Sequence, residues 1–370
     1  MKRNIAILGG GNGGQAFAAY FTLHGHDVRL YDAFASTVDS INQKGMIQLT
    51  GAMDECVEFR RASTDLASVV EGAEIIVVIN PSMYHRRLAA ELAKHLKNGQ
   101  VIFLNPGATF GSFAFKKALV DNGYTDDVVI AESNILLFAC RMQEPGRIMI
   151  GAKKDRILVS AFPANRLDTV RDLICDIIPE TQFVKNVLAT AIDNTNPTVH
   201  PMPTIFNIGW LESGQKFSFM QQAVSPTLSK YMEHMDRERL AVGEALGLVR
   251  DREMFDLFRQ YEAEYGVYGK ETLHDVFMAC DAYTHIYGPT ELRTARYIVE
   301  DVGMGLVPLV SVGEMLGIDM SYSKLIIDVC SRVLDLDFTN DDACRNVRNL
   351  GIEGLTAGQI IQYAETGKTV

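Results

Sequence analysis

Cysteine is scarce in this chain and never paired in pattern. The six residues, Cys56, Cys140, Cys175, Cys280, Cys330 and Cys344, are scattered over 370 positions with no C-x-x-C spacing. That argues against a disulfide scaffold and a cysteine-bound zinc site, and it fits a reducing cytoplasm. No H-x-x-x-H pair or acidic cluster points to another metal, so none is expected. No G-x-S-x-G points to a serine hydrolase. Positive charge is in deficit, with 35 Lys and Arg against 46 Asp and Glu, a net charge of −11. With no basic cluster to interrupt it, that balance gives no general pull toward nucleic acid or an anionic membrane face. Long apolar runs are missing too. The longest stretch without a charged side chain, Asn194 to Leu211, holds three prolines, three asparagines and a histidine. Such a segment does not face lipid, and the apolar run from Val302 to Gly313 is too short to span. At the N-terminus only Ile5 to Leu8 is apolar before glycines begin. That reads as a first strand, not a signal peptide.

What is present is ordinary globular material: 47% hydrophobic and 22% charged residues. At about 150 residues per domain, the length suggests two domains, with a third less expected. The first half alternates strand and helix patterns. Strands are expected at Asn4–Leu8, Val28–Tyr31, Ile75–Ile79, Val101–Leu104 and Val128–Ala131, with helices at Gly13–His24 and Arg86–Leu96. Met46–Leu49 and Cys56–Phe59 read as a strand pair, and Ile148–Ala152 with Ile157–Ser160 as a trailing hairpin. Strands alternating with helices imply right-handed crossovers and a parallel sheet. From about Val187 the pattern turns helical, with helices expected at 237–247, 252–265, 272–283, 307–316 and 323–334 and a last one near the C-terminus. The expected fold is therefore an α/β Rossmann-type dinucleotide-binding domain, 1–184, followed by an all-α domain, 185–370.

The sharpest local motif is Gly9-Gly10-Gly11-Asn12-Gly13-Gly14, which contains G-x-G-x-x-G as Gly9, Gly11 and Gly14. It lies between an expected strand and an expected helix, the context the motif requires. Gly9 permits the tight turn, Gly11 lets the backbone approach a pyrophosphate, and Gly14 allows close helix–strand packing. Amides at the helix start, Asn12 and Gly13 among them, then attract the anion. Asp32 lies 18 residues beyond Gly14, near the position of a ribose-binding acid. A carboxylate there would repel a 2′-phosphate, so NAD is favoured over NADP. Ligands of such sheets bind outside the carboxyl ends of the strands. That makes Asn80, Pro81, Asn105 and the segment Glu132-Ser133-Asn134 cofactor-lining residues, with His85 expected to line the same cleft.

His200 stands in DNTNPTVHPMP, where the two halves join. Histidine changes charge near neutral pH and serves naturally as general acid or base. It needs a carboxylate on its other ring nitrogen. Asp301, in RTARYIVEDVGMGLVPL, is one such residue, and Arg296 before it could grip a substrate carboxylate in a two-pronged bond. Spacing alone does not bring positions 200 and 301 together. A lone histidine is more often a surface or satisfied core residue, and His95, His234, His274 and His285 read as structural.

Beyond these readings the chain resembles the octopine/nopaline (opine) dehydrogenase family over nearly its full length. The similarity is carried by ILGGGNGGQAFAAYFTLHGHDVRLYD, NPSMYHRRLAAELAKHLKNGQVIFLNPG, NTNPTVHP, MDRERLAVGEALGL and RYIVEDVGMGLVPL. The resemblance implies that an amino acid and a 2-oxo acid condense to an imine, which NAD(P)H reduces to a secondary amine dicarboxylate. It implies a His200–Asp301 acid/base dyad, with Arg296 and Asn196 on the substrate. One departure is Phe217-Ser218-Phe219-Met220, where the family often carries a Phe-Tyr pair. Met220 in place of a polar aromatic leaves the amino donor open.

Three rivals remain at this level. Lys185-Asn186-Val187 is slightly similar to the helix start of glycerol-3-phosphate dehydrogenases, in which case Lys185 would be catalytic. Ketopantoate-type reduction is a second, and a non-catalytic NAD-binding sensor a third, since fold does not fix function. An exposed apolar helix would favour a homodimer, though the sequence leaves the oligomeric state open.

Overall fold

The computed structural model describes residues 1–284 and 286–369. His285, expected in a structural helical setting, lies outside the described residues. Two compact units divide the chain: residues 1–190 with 362–370, and residues 191–361.

The first unit is α/β. Its strands are β1 (Asn4–Leu8), β2 (Asp27–Tyr31), β3 (Met46–Gly51), β4 (Glu55–Glu58), β5 (Ala62–Ser63), β6 (Ile75–Val78), β7 (Val101–Leu104), β8 (Val129–Ser133), β9 (Phe138–Glu144), β10 (Arg147–Lys153), β11 (Ile157–Phe162) and β12 (Thr181–Phe183). Eight form one sheet in the order β12-β11-β8-β7-β6-β1-β2-β5, and four form a second, β4-β3-β10-β9. From β8 to β5 the large sheet is parallel throughout. Its central strands are continuous apolar runs because both faces are covered. Ile5, Ile7, Ile75, Val77 and Phe103 point into one core cluster, and Ala6, Leu8, Ile76, Val78, Ile102 and Leu104 into another. The helix Asn12–Leu23 packs on the first face and also meets the small sheet, so Phe17, Tyr20 and Phe21 share a core with Ile47, Leu49, Ile148 and Ile150. A helix covered on both sides is apolar nearly all round, as GGQAFAAYF is.

Two expectations about the strands need correction. Ile148–Ala152 and Ile157–Ser160 are not a hairpin. β10 pairs with β9 and β3 in the small sheet, whereas β11 runs antiparallel to β8 in the large one. Their patterns differ accordingly: β10 mostly alternates buried and exposed residues, while β11 is covered on both faces. The sheet is also not wholly parallel, since β11 reverses direction. The division into units, too, differs from the 184/185 boundary. The first unit continues to Thr190 and recovers the C-terminal residues. Thr190 donates to the buried Glu132 at 2.6 Å, Asn186 donates to Glu365 at 2.9 Å, and Tyr363 packs between Phe113 and Phe162.

The second unit is all-α. Its longest helix, Pro226–Ala245, starts where Ser225 accepts the Leu228 amide and Pro226 occupies the first turn. The expected helix 237–247 is the end of this one. The helix expected from 252 begins at Leu257, where the Asp256 side chain accepts the Arg259 amide. Among the described residues no helix is long and apolar enough to cross a membrane.

Candidate active site

The glycine turn after β1 is built by close approach. Gly9 has φ +112°, and a Cβ there would meet the Asn80 backbone nitrogen at 3.0 Å. A Cβ on Gly13 would lie 2.7 Å from Ile79, and one on Gly14 only 1.6 Å from the Gly9 carbonyl oxygen. Gly11 differs, because nothing lies within 4 Å of its Cβ direction. It is the open side of the turn, where backbone can approach a phosphate. Asp32 clamps the turn to the exit of β2. Its Oδ2 accepts the Gly10 amide at 2.6 Å and its Oδ1 the Phe34 amide at 2.9 Å. Each oxygen keeps a second lone pair for a ribose hydroxyl. Asn12 begins the helix, and its Oδ1 accepts the Met142 amide at 3.0 Å, tying the turn to β9. Sequence reasoning missed Gln15. It is fully buried, donates to the Gly10 carbonyl at 2.6 Å and accepts the Gly146 amide at 2.7 Å. Its signal was a glutamine inside an otherwise apolar helical run.

The exits of β6 and β7 carry polar atoms with no partner. The Oδ1 of Asn80 and both side-chain polar atoms of Asn105 are buried and unbonded. Such groups cost free energy unless a ligand satisfies them. With the open Gly11 and the helix start, they fit a dinucleotide. Pro81 opens the turn Ser82–Tyr84, its carbonyl accepting the Tyr84 amide. His85 is buried behind that turn, its Nε2 3.2 Å from the Asn80 carbonyl and its ring edge-on to Phe115. It supports the loop from within. Glu132, Ser133 and Asn134 are engaged internally. The Glu132 carboxylate accepts from the Ser112 amide, the Ser112 hydroxyl and Thr190. Ser133 donates to the Ile135 carbonyl, and Asn134 accepts the Leu158 amide.

In the helical unit, two prolines place His200. Pro197 and Pro201 each lie in the first turn of a short helix, Asn196–Val199 and Pro201–Phe206, and His200 is the junction between them. Proline fits a first turn but cannot continue a helix, so the pair forces the break. Asp301 ends the short helical segment from Arg296 and leads into a π-helical turn, Val302–Leu306. The Asp301 amide donates to the Arg296 carbonyl and its own carbonyl accepts the Leu306 amide, both five residues apart. Such turns often mark functional sites. The glycines of GMG make the approach possible. A Cβ on Gly305 would lie 2.2 Å from the Pro197 ring, and one on Gly303 2.5 Å from the Ala343 carbonyl oxygen.

The two segments meet. His200 Nδ1 lies 2.8 Å from Asp301 Oδ2. Both side chains are largely covered, 20% and 12% exposed, yet not sealed. Burial pushes the Asp301 carboxyl above its ordinary value, while the bond to His200 works the other way. With Nδ1 engaged, Nε2 is the ring atom left for a substrate. Tyr297 stacks on the imidazole at 4.2 Å between centroids, and Phe219 lies against Tyr297. Neither aromatic was singled out from sequence. Arg296 is exposed, and its Nε donates to Glu300. Asn196 is exposed one helical turn before His200. Met220 is buried in the helical core, and Lys185 is exposed.

The helical half matches the family profile described as NAD/NADP octopine/nopaline dehydrogenase, alpha-helical domain, over residues 183–334. Residues 4–116 match the N-terminus of NAD-dependent glycerol-3-phosphate dehydrogenase. An opine dehydrogenase of Arthrobacter sp. (strain 1C) is 33% identical over 365 residues, covering 98% of this chain and 99% of that protein. Among solved structures, octopine dehydrogenase with NADH and L-arginine superposes with a TM-score of 0.80 at 18% identity, covering 99% of this chain and 98% of the other. Yersinopine dehydrogenase with NADP+ bound gives 0.67 at 14% identity, with 98% of each chain covered. A relative this similar over the whole length, joined to a matching helical domain, places the chain in the NAD(P)-dependent octopine/nopaline dehydrogenase family.

Proposed function

We propose that this chain condenses an amino acid with a 2-oxo acid such as pyruvate and reduces the product, acting on the CH–NH bond. The amine adds to the keto carbon, water leaves, and the imine takes up a hydride and a proton to give a secondary amine dicarboxylate. The observation that carries this reading is the His200–Asp301 pair at 2.8 Å. Asp301 accepts a hydrogen bond from Nδ1–H, which fixes the tautomer and steadies the ring as it gives up the Nε2 proton. Nε2–H then donates to the oxygen that departs as water. Arg296, its Nε held by Glu300, keeps its Nη edge for a substrate carboxylate. Asn196, exposed one helical turn before His200, would offer a carboxamide to the same substrate. Bound NAD(P)H supplies the hydride. Gly9, Gly11, Asn12, Gly13, Gly14 and Asp32 would hold the dinucleotide, with Asn80, Pro81 and Asn105 at the strand exits and His85 bracing their loop. The Asp32 carboxylate favours NAD, because a 2′-phosphate would meet its charge.

The glycerol-3-phosphate similarity ends at residue 116, before the helical unit and its dyad begin. The six cysteines are free thiols, consistent with a reducing cytoplasm. Tyr322, Leu325 and Val333 are exposed along one helix, Ser321–Leu334, a face suited to a homodimer. The experiment follows NADH absorbance with pyruvate and a panel of amino acids, with NADPH in parallel. Oxidation should require both substrates. His200→Ala should lose about 10²–10⁴ in turnover while NADH binding survives. Oxidation with a carbonyl compound alone, or full turnover in His200→Ala, would sink the reading.

A further inference from the structure

We infer that Tyr297 is a positioning residue for the acid–base step, holding the plane of the His200 ring through a face-to-face stack. The inference rests on the reading of His200 as the acid. A single hydrogen bond at Nδ1 pins one edge of the imidazole and leaves its ring torsion soft. Tyr297 removes that freedom. Its ring lies 4.2 Å from the imidazole at 24°, close to parallel. The phenol is itself backed by Phe219, 4.9 Å away at 33°. Phe219 is 1% exposed, and a Cβ on Gly288 would come within 3.2 Å of its ring, so the backing has no room to yield. Tyr297 and Asp301 stand four residues apart on the segment that enters the π turn. Face and edge of the imidazole are thus held by one rigid stretch of chain.

The face of a phenol is electron-rich and attracts a cation more than a neutral ring. The stack therefore keeps the ring in register while His200 takes part in proton transfer. Besides His200, the charged groups that act on Asp301 are Glu300 and Arg296, from the same stretch of chain, while the neighbouring helix Phe219–Ala223 brings the uncharged Phe219 against both rings. Tyr297→Leu and Tyr297→Phe test the idea. In the Leu variant kcat should fall about tenfold, with KM for both substrates within about twofold. The Phe variant should behave as wild type, since the ring face and not the hydroxyl matters. The His200 ring resonances of the resting protein, followed by NMR at a single pH, should broaden in the Leu variant and stay sharp in the Phe variant, without any turnover. Should Tyr297→Leu not fold, Tyr297→Met offers comparable volume without a ring face. A folded Leu or Met variant with wild-type turnover and wild-type NMR line widths would overturn the inference, as would a Phe variant that fails to rescue. Full turnover in His200→Ala would instead remove the catalytic reading while the NMR comparison still judged the stack.

Discussion

A methyl group on Gly14 would sit 1.6 Å from the Gly9 carbonyl oxygen, backbone that cannot shift without disturbing β1. At Gly11 the same methyl meets nothing within 4 Å. The two glycines should therefore fail differently. Gly11→Ala is expected to leave the unfolding midpoint within about 0.5 kcal/mol of wild type. It should still weaken NADH binding about tenfold, because the methyl occupies the phosphate's approach. Gly14→Ala should lose both stability and binding. Urea unfolding and NADH fluorescence titration separate them, and a Gly11→Ala variant with wild-type affinity would place the phosphate elsewhere. Asp301 gives a second prediction at this scale. Its carboxyl is raised in the folded state by burial, against the pull of His200. A carboxyl so raised contributes stability that is full below its unfolded value and is lost as pH climbs through its folded one. Asp301→Asn escapes that loss, so its melting temperature should exceed wild type by a margin that grows from acid toward neutral pH. Turnover should fall about 10²–10⁴. Equal melting temperatures at pH 7 would mean that the His200 bond offsets the burial of the charge in full.

At the scale of elements, the sequence was legible where pattern and structure share a period. β7 begins and ends as its apolar run does, and β1 adds only the exposed Asn4 to Ile5–Leu8, because a strand covered on both faces carries few polar residues to blur its ends. The glycine turn was readable because sterics at Gly9, Gly13 and Gly14 exclude other residue types. β10 and β11 were each legible, but their partners were not, since pairing is a long-range choice that neither strand encodes alone. The dyad shows the same limit. His200 and Asp301 were separately nameable, but what joins them is a π turn and two glycines packed on Pro197 and the Ala343 carbonyl. Tyr297 went unread because an aromatic at helical spacing reads first as core. The motif MDRERLAVGEALGL now has a physical content. Arg239 is 1% exposed and donates to Asp236 and to the carbonyls of Ile192 and Phe255. Asp236 in turn accepts the Leu257 amide that opens the next helix. Arg239→Ala strands a buried carboxylate and two carbonyls, and should cost about 3–5 kcal/mol in urea unfolding. A loss below about 1 kcal/mol would mean that water enters and solvates the pair.

At the scale of the whole molecule, the division into two units is not a cut at one point of the chain. The sequence assigned everything after residue 184 to the helical domain, yet residues 362–370 belong with the sheet. Composition could not reveal this, because a helix reads the same whichever core it packs against. What assigns the tail is Tyr363. It is 8% exposed, and its ring lies 5.0 Å from Phe113 and 4.9 Å from Phe162. Glu365 adds a hydrogen bond from Asn186. The last residues therefore stabilise the unit that carries the glycine turn. Tyr363→Ala should cost that unit about 3 kcal/mol, the usual scale for emptying a buried aromatic site. Tyr363→Phe should cost much less, since it keeps both ring contacts. NADH stabilises whatever it binds in proportion to its occupancy, so it labels the transition of the first unit in a melting curve. The transition that moves upward with NADH should be the one that Tyr363→Ala moves down. If Tyr363→Ala lowers only a transition that NADH leaves in place, the tail stabilises the helical unit after all, and the assignment of residues 362–370 fails.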